Sequence, residues 1–571
     1  MDLTWDDVLK EETAHEKAAI FQKSLVDKYE EIFPEKILKI NSDDAPWISQ
    51  KLKKMDRRRK RIYHKERRSE KWKKLDKIFK QEVKSAKSNF YKNMIADLKT
   101  KNPSQWYSSL KRISGYDQKS EKPIIQDINH QTDQEQAETI ADFFSSIPNE
   151  YDALQTEDIK IPHFTQDQIP QFHPSQVWLH LTKLKTNKST VRGDLPTKLI
   201  KEFAAYLADP FTDIINTSLR RGEYPQIYKY EIYTPVPKVF PPEKVEQMRN
   251  ISGLLTFDKV MENMISELMI SDMKAKTDPS QYGNEKGTSI QHYLIKMVHR
   301  ILTALDTNSK RETFAVVANL IDWNSAFPRQ CPKLGVDSFI KNGVRPSMIP
   351  LLVNYFQDRQ MSVVWHGCQS VPRRIKGGGP QGATFGILEY LSQSNNNSDC
   401  VNEEDRFKFV DDLTILEIVN LITIGIASFN IKAQVPSDIL DNNQIIPSSN
   451  LRSQHFLDEI NLWTKNQKMM INQKKSKTMV FNFTKKYQFS TRLRLEGEIL
   501  DTVSDAKLLG TIVSNDLKWK NTENIVKKAN SRMELLRKVT SFGATYIHSV
   551  HIRSLQEQSC TVWHSGLTEE N

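Results

Sequence analysis

Two apolar, β-branched runs carry acids where a core strand should carry none. TFAVVANLID (313–322) ends on Asp322, and RFKFVDDLTIL (406–416) holds Asp411 and Asp412 behind Phe407, Phe409 and Val410. A carboxylate in such a strand is costly unless it is paired or holds a metal. Two adjacent acids make that cost worse. A hairpin carrying FVDD beside a strand ending in Asp322 would bring Asp322 and Asp411 together. Adjacent side chains on a strand point to opposite faces, so Asp412 cannot share Asp411's position. Hard oxygen ligands in this arrangement suit Mg²⁺ (or Mn²⁺). Alone, the same residues read equally well as two unrelated strand-end acids.

Composition narrows the class. The 571 residues are enough for several domains, and 38% hydrophobic with 27% charged residues is globular composition. With 19 Gly and 24 Pro, collagen-like and low-complexity classes are excluded. Cys331, Cys368, Cys400 and Cys560 are too few for a disulfide framework, so an intracellular, reducing compartment is expected. MDLTWDDVLKEE has neither an apolar stretch nor a positive leader, and no signal peptide is expected. Leu413–Ile431, the best membrane candidate, contains Glu417 and Asn420 and reads as a buried helix; no membrane partner is expected.

The positive charge sits in one place. Residues 51–88 hold 18 Lys or Arg against five Asp or Glu, a net of +13 in a chain whose total is +11. Trp72, Leu75, Phe79, Val83, Ala86, Phe90, Met94 and Leu98 recur at steps of three and four, one face of a long helix. Such a basic helix suits a phosphate backbone, with Arg57, Arg58, Arg59, Arg61, Arg67 and Arg68 as candidate nucleic-acid contacts. A solvated helix face or a nuclear-localisation patch fits the same residues, which leaves nucleus and cytoplasm both open.

The chain divides into a helical leader (1–117) with its basic region at 51–90, and an acidic linker (118–170) with a short helix near Ala137–Ser145. Beyond it helices and strands alternate without strict βα order, which argues for an α+β fold. Residues 195–222 read as helical, broken at Pro210 and stopped at Gly222. IYTPVPKV (232–239) reads as a proline-bearing edge strand, 289–307 as a strongly periodic helix, and the segment after Asp505 as a return to helices. His548, His551, Cys560 and His564 match no zinc spacing.

The order of motifs around the acids resembles the reverse transcriptase of non-LTR (LINE-type, Jockey-like) retrotransposons over residues 165–570. KTNKSTVRGDLPTKLIKEF (185–203) resembles that family's N-terminal extension, TPVPKV (234–239) and MRNISGL (248–254) its two basic finger motifs, and QYGNEKGTSIQH (281–292) its QFGFRKGRST segment. NLIDWNSAF (319–327), GGGPQGATFG (377–386) and FVDD (409–412) match the first palm motif, the PQG motif and the (F/Y)xDD box. INQKKSKTMVF (471–481) and KLLGTIVSNDLKW (507–519) match the lysine motif and the primer grip.

The resemblance implies a right-hand polymerase: N-terminal extension and fingers at 171–310, palm at 311–504, primer grip and partial thumb at 505–571. It implies RNA-directed DNA polymerase activity on an RNA template, a DNA primer and dNTPs, by two-metal nucleotidyl transfer. Asp322 and Asp411 would hold Mg²⁺ beside Asp412. Lys238 and Arg249 would bind the triphosphate, Phe327 would lie beneath the sugar and exclude a 2′-hydroxyl, and Gln381 would lie near the nascent base pair. Lys475 would lie near the pyrophosphate, with Lys474 and Lys477 as alternatives. Pro328 departs from the family's DxxxAFD pattern. Neither an endonuclease nor an RNase H domain is expected in the chain. The alternative is an inactive retroelement remnant that binds RNA through its basic leader.

Overall fold

The computed structural model describes residues 4–34, 47–98, 123–186, 189–307, 312–422, 444–446, 451–484 and 489–518, with the single positions 45, 526, 527 and 530. The histidine and cysteine positions at 548–564, and most of the stretch read as thumb, lie outside these residues. The chain forms two compact units, Met1–Pro34 with Lys122–Lys518, and Glu35–Glu121 with Trp519–Asn571. The first is a mixture of helices and mixed sheets, as expected for α+β.

Its central sheet grows from the two acidic runs. Strand β3 (Phe314–Ile321) pairs antiparallel with β8 (Asp412–Asn420) over eight residue pairs, from Phe314 opposite Asn420 to Ile321 opposite Leu413. β7 (Arg406–Phe409) returns against β8 through a tight turn at Val410–Asp411, with Phe409 opposite Asp412. On the other side β3 pairs with the strand Lys477–Phe481, and the short strand Asp501–Thr502 follows. One face of this sheet buries Val317, Ile321, Leu413 and Ile415 against Leu457 and Ile460 of the helix Arg452–Asn466. Against the other lies the helix Ile290–Asp306, in the place its periodicity predicts, with the Tyr293 hydroxyl donating to Thr414 Oγ1 at 2.7 Å.

Leu413–Asn420 is therefore a strand, not the buried helix expected for Leu413–Ile431; only Leu421 and Ile422 of that stretch are helical, and residues 423–431 lie outside the described ones. Both faces of β8 are covered, so its apolar run has no polar phase from which a period could be read. Glu417 is 4% exposed because it caps a helix: its two oxygens accept the Arg452 and Ser453 N–H groups at 2.9 and 2.7 Å. No described helix is long and apolar enough to cross a membrane.

The second sheet is built on β1 (Tyr230–Pro237), which lies between β2 (Met248–Gly253) and β4 (Arg359–Trp365); this corrects its reading as an edge. Two short strands, β5 (Cys368–Gln369) and β6 (Arg373–Ile375), also pair with β4. The prolines of β1 are tolerated because β4 pairs only with Tyr230–Tyr233. Lys238 N–H bonds Gln247 C=O, so by alternation positions 235 and 237 face away from β2, beyond the reach of β4. The helix Asp133–Ser146 starts in a Thr132/Glu135 capping box and packs Ala137, Ile140 and Phe144 with Tyr233, Met361 and Val363 of this sheet.

Pro210 does not break its helix. The break falls at Phe203, between Thr197–Glu202 and Ala204–Arg221, and the second helix runs through Pro210 to a left-handed Gly222. Pro210 is buried in the helical core of Phe211, Phe257, Ile214 and Leu207, and that packing outweighs the lost N–H bond. Residues 505–514 are a hairpin of the strands Asp505–Leu508 and Thr511–Ser514, not the helix expected after Asp505; beyond 518 only positions 526, 527 and 530 are described, and these are helical. The hairpin's alternating Ala506, Leu508 and Val513 line one small cavity with Ala318, Leu320 and Phe481 of the central sheet.

In the other unit the basic segment folds as a helical hairpin rather than one long helix. Gln50–Glu66 and Glu70–Leu98 are separated at Arg67, whose φ is +52°, and Ser69 Oγ accepts the Trp72 N–H at 3.2 Å. Tyr63 meets Trp72 at 5.4 Å between ring centroids, and Lys51 pairs with Glu82, so the helices run antiparallel. Arg57, Arg58, Arg61, Arg67 and Arg68 are not enclosed by this hairpin. Arg59 is committed inside it: it bonds Asp56 and Asp76 at 2.7 Å each and lies over the Phe79 ring.

Candidate active site

The acids converge where the central strands end. Asp322 follows β3 directly, and the β3–β8 register carries it to the level of Asp412. Both line a pocket of about 280 Å³ with Lys475, Lys477 and Asp505. Asp411 occupies the turn between β7 and β8 with its side chain open to solvent. Each carboxyl is raised above its ordinary value. Burial pushes Asp412 up to about 6, with the charges of Asp411 and Asp322 adding to it. Burial raises Asp322, Lys475 opposes the rise and Asp411 adds to it. The surrounding protein desolvates even the solvent-open Asp411, while its own N–H and Arg249 pull the other way. Carboxylates crowded in this way call for a cation.

Cations face them. Lys475 Nζ lies 3.9 Å from Asp322 Oδ2, whereas Lys477 pairs with Asp501 at 2.5 Å; of these two, Lys475 is the one directed at the acids. Asn472 and Ser476 hold this turn, through Asn472 N–H to Asp322 C=O at 2.8 Å and Asp322 N–H to Ser476 Oγ at 3.1 Å. Burial lowers the Lys238 pKa, and Arg249 and Lys475 lower it further, so these three like charges lie within one another's fields. Lys238 Nζ donates to the Glu246 carbonyl at 2.9 Å.

The glycine loop ties the segment that follows β3 to strand β2. Gly378 and Gly379 donate to the carbonyls of Gln330 and Phe327 at 2.9 and 3.0 Å. A Cβ on Gly379 would overlap the buried Gln330 amide and stand 3.1 Å from Gly386 Cα, so a larger residue here would force Gln330 aside. Gln381 presents its carbonyl to the Ser252 N–H on β2 at 3.0 Å, on the same strand as Arg249. Phe327 is half-buried and rests against Tyr390, with ring centroids 5.5 Å apart.

Sequence reasoning missed how the acidic turn is held at Val410. Val410 is a β-branched residue at φ +56°, a left-handed conformation that costs roughly 1–3 kcal/mol. Gln281 Oε1 accepts the Val410 N–H at 3.0 Å and the Gly283 N–H at 2.9 Å. Around it Tyr282 N–H bonds Lys408 C=O, and Lys408 N–H bonds Ser280 C=O. Lys408 is itself buried and paired with Asp278 at 2.6 Å. The signal was the QYG triplet, but its partner lies 129 residues away.

The helix Thr384–Gln393 begins at the glycine loop, with Glu262 Oε2 accepting the Thr384 N–H at 2.9 Å. It buries Glu389 completely, and both carboxyl oxygens lack partners among the described residues. Burial pushes Glu389 up to about 8, so it holds a proton at neutral pH. An unfolded glutamate releases that proton near pH 4.5. This group's contribution is therefore most favourable at acid pH and falls as pH rises from about 4.5 to 8. Glu389→Gln is expected to raise stability at pH 8 by a few kcal/mol, with little change at roughly pH 5. The scale follows because each tenfold difference in proton affinity between folded and unfolded chain is worth about 1.4 kcal/mol. Thermal melts at the two pH values check this; an equal change at both would mean Glu389 is ionised in the fold.

Among the described residues no group of three His, Cys, Asp or Glu could hold a metal by itself. An acid-and-cation cleft of this kind fits Mg²⁺ in another way, since that ion is commonly bound through one or two carboxylates with substrate phosphates and water completing its shell. Asp322 Oδ2 supports the fit, being a buried oxygen with no hydrogen-bond partner.

The site thus defines a class, a strand-end acid cluster faced by cations, and the relatives of the chain give that class a setting. Over 334 residues the chain is 26% identical to the probable RNA-directed DNA polymerase from transposon BS of Drosophila melanogaster, covering 57% of this chain and 34% of that protein. Over 349 residues it is 23% identical to the RNA-directed DNA polymerase from mobile element jockey of Drosophila funebris, covering 60% of this chain and 35% of that protein. The resemblance read from the motif order is thereby found in curated transposon polymerases. The chain spans about a third of the length of these relatives. No family model matches it.

Proposed function

We propose that this chain is an RNA-directed DNA polymerase of the non-LTR retrotransposon type. What carries the reading is the convergence of Asp322, Asp411 and Asp412 with Lys238, Arg249 and Lys475, residues drawn from five separate sequence motifs. In this reading the central sheet is the palm, the β1–β2 hairpin belongs to the fingers, and the hairpin over residues 505–514 is the primer grip.

Asp322 and Asp411 would hold Mg²⁺ (or Mn²⁺), with Asp412, level with Asp322 on the neighbouring strand, adding negative charge beside them. A divalent ion bound there makes the primer 3′-hydroxyl more acidic and neutralises the leaving pyrophosphate. Lys238, Arg249 and Lys475 bind and orient the triphosphate, Arg249 with a planar fork and the lysines as point charges. Phe327 forms the floor under the sugar and excludes a 2′-hydroxyl. Gln381 reaches the base pair from a loop tied to β2 and to the segment that follows β3. The arginines on the outside of the helical hairpin bind RNA through its phosphates.

The test is dNTP incorporation by the full chain on oligo(dT)-primed poly(rA), with Mg²⁺ or Mn²⁺. Synthesis that requires the metal supports the reading. No synthesis under either metal, with salt-sensitive RNA binding intact, overturns it and leaves an RNA-binding remnant.

A further inference from the structure

Tyr390 is used by nothing above, yet it stands directly beneath the floor of the cleft. It lies on the helix Thr384–Gln393 and is fully buried. Its ring centroid is 5.5 Å from that of Phe327, at an interplanar angle of 33°. Its hydroxyl has no hydrogen-bond partner among the described residues, a costly arrangement that a phenylalanine would avoid. Burial raises its pKa first, then the charges of Asp411 and Asp412, so its hydroxyl lies within the field of the acidic turn.

Phe327 needs such a support. Its backbone is fixed by the N–H groups of Gly379 and Gln330 on its carbonyl, but its ring is only half-buried. A half-buried ring on a short loop turns about χ1 and χ2 unless a neighbour restrains it. A tilted aromatic contact supplies that restraint, because ring pairs have angular preferences that aliphatic contacts lack. Tyr390 can transmit a fixed orientation because its own helix is anchored through Thr384 to Glu262.

We propose that Tyr390 is a positioning residue for sugar selection, its ring holding Phe327 in the plane that excludes a 2′-hydroxyl. The inference rests on the proposed reading of Phe327 as the floor under the sugar. Tyr390 itself touches no substrate. Its effect falls on the choice between deoxynucleotide and ribonucleotide, not on the chemical step.

The experiment compares dTTP with UTP on oligo(dT)-primed poly(rA), using the full chain and Mg²⁺. The readout is the ratio of the two kcat/KM values for one preparation, in which the folded fraction cancels. Tyr390→Leu is expected to raise relative UTP use about tenfold, the scale of one small steric contact in a pocket. Tyr390→Phe keeps the ring and removes a hydroxyl that bonds nothing among the described residues, so its ratio stays at the parent value. Phe327→Ala raises UTP use further than either. An unchanged ratio in Tyr390→Leu, with a raised one in Phe327→Ala, overturns the inference. Equal loss of selection in Tyr390→Phe and Tyr390→Leu overturns it too, since the hydroxyl rather than the ring would then be responsible. No change in Phe327→Ala would instead remove the reading of Phe327 on which the inference stands. If Tyr390→Leu does not fold, Tyr390→Met takes its place.

Discussion

Asp411→Ala is expected to lower dNTP incorporation by at least about a thousandfold, because in the proposed reading the carboxylate it deletes holds the divalent ion that activates the 3′-hydroxyl and neutralises the leaving pyrophosphate. The protein itself should barely notice the change. Asp411 sits in a turn with its side chain open to solvent, so the substitution removes little packing. It also removes a like charge that raises both Asp322 and Asp412, so the melting temperature without divalent cation should hold or rise. RNA binding at low salt should be unaltered. Primer extension and a thermal melt on one preparation separate these effects. Incorporation within about tenfold of the parent protein would show that Asp322 and Asp412 suffice and that Asp411 is not a metal ligand.

Gly283→Ala is the second large effect, and it arises far from the acids in sequence. A Cβ at this position would meet Val410 N at 2.5 Å, Val410 Cγ2 at 2.6 Å and the Phe409 carbonyl carbon at 2.9 Å. Two of these atoms are backbone of the acidic turn, so no side-chain rotation relieves the clash. The turn must move, and with it Asp411 and Asp412. A displacement approaching about 1 Å in a reacting constellation costs on the order of a hundredfold in rate. Overpacking at a buried contact costs roughly 1–3 kcal/mol in stability. Adding Val410→Gly should recover part of both losses, since it deletes Cγ2 and relieves the left-handed φ. Incorporation kinetics and melts of Gly283→Ala, Val410→Gly and the pair form the check. An unchanged rate in Gly283→Ala would mean that the turn tolerates displacement and that Gln281 and Gly283 do not position it.

Some of this site is legible in the residues alone. Asp322 and Asp411 stand out because a carboxylate in an apolar run is costly unless it is paired, hydrogen-bonded or holds a metal. Lys238, Arg249 and Gln381 could be named because the motif order resembles a known family; any one of them alone reads as surface. The excess charge at 51–88 needs only counting. Other features escaped for identifiable reasons. β8 looked like a helix because a strand buried on both faces shows no alternation. β1 looked like an edge because its prolines were visible while the register that makes them harmless was not. Arg59 looked like its neighbours, and only the fold back at Arg67 brings Asp76 and Phe79 to it.

The sequence by itself determined which residues carry charge into apolar surroundings, because burial cost depends on local composition. It therefore marked out the acids and the basic segment. Tertiary structure alone decided their relations: Asp412 level with Asp322, Lys475 rather than Lys477 directed at the acids, Gln281 and Gly283 locked on Val410, and Tyr390 set under Phe327. These are contacts between segments many tens of residues apart. Strand register and helix packing fix them, and both minimise a free energy summed over the whole core, so no local stretch of chain encodes them.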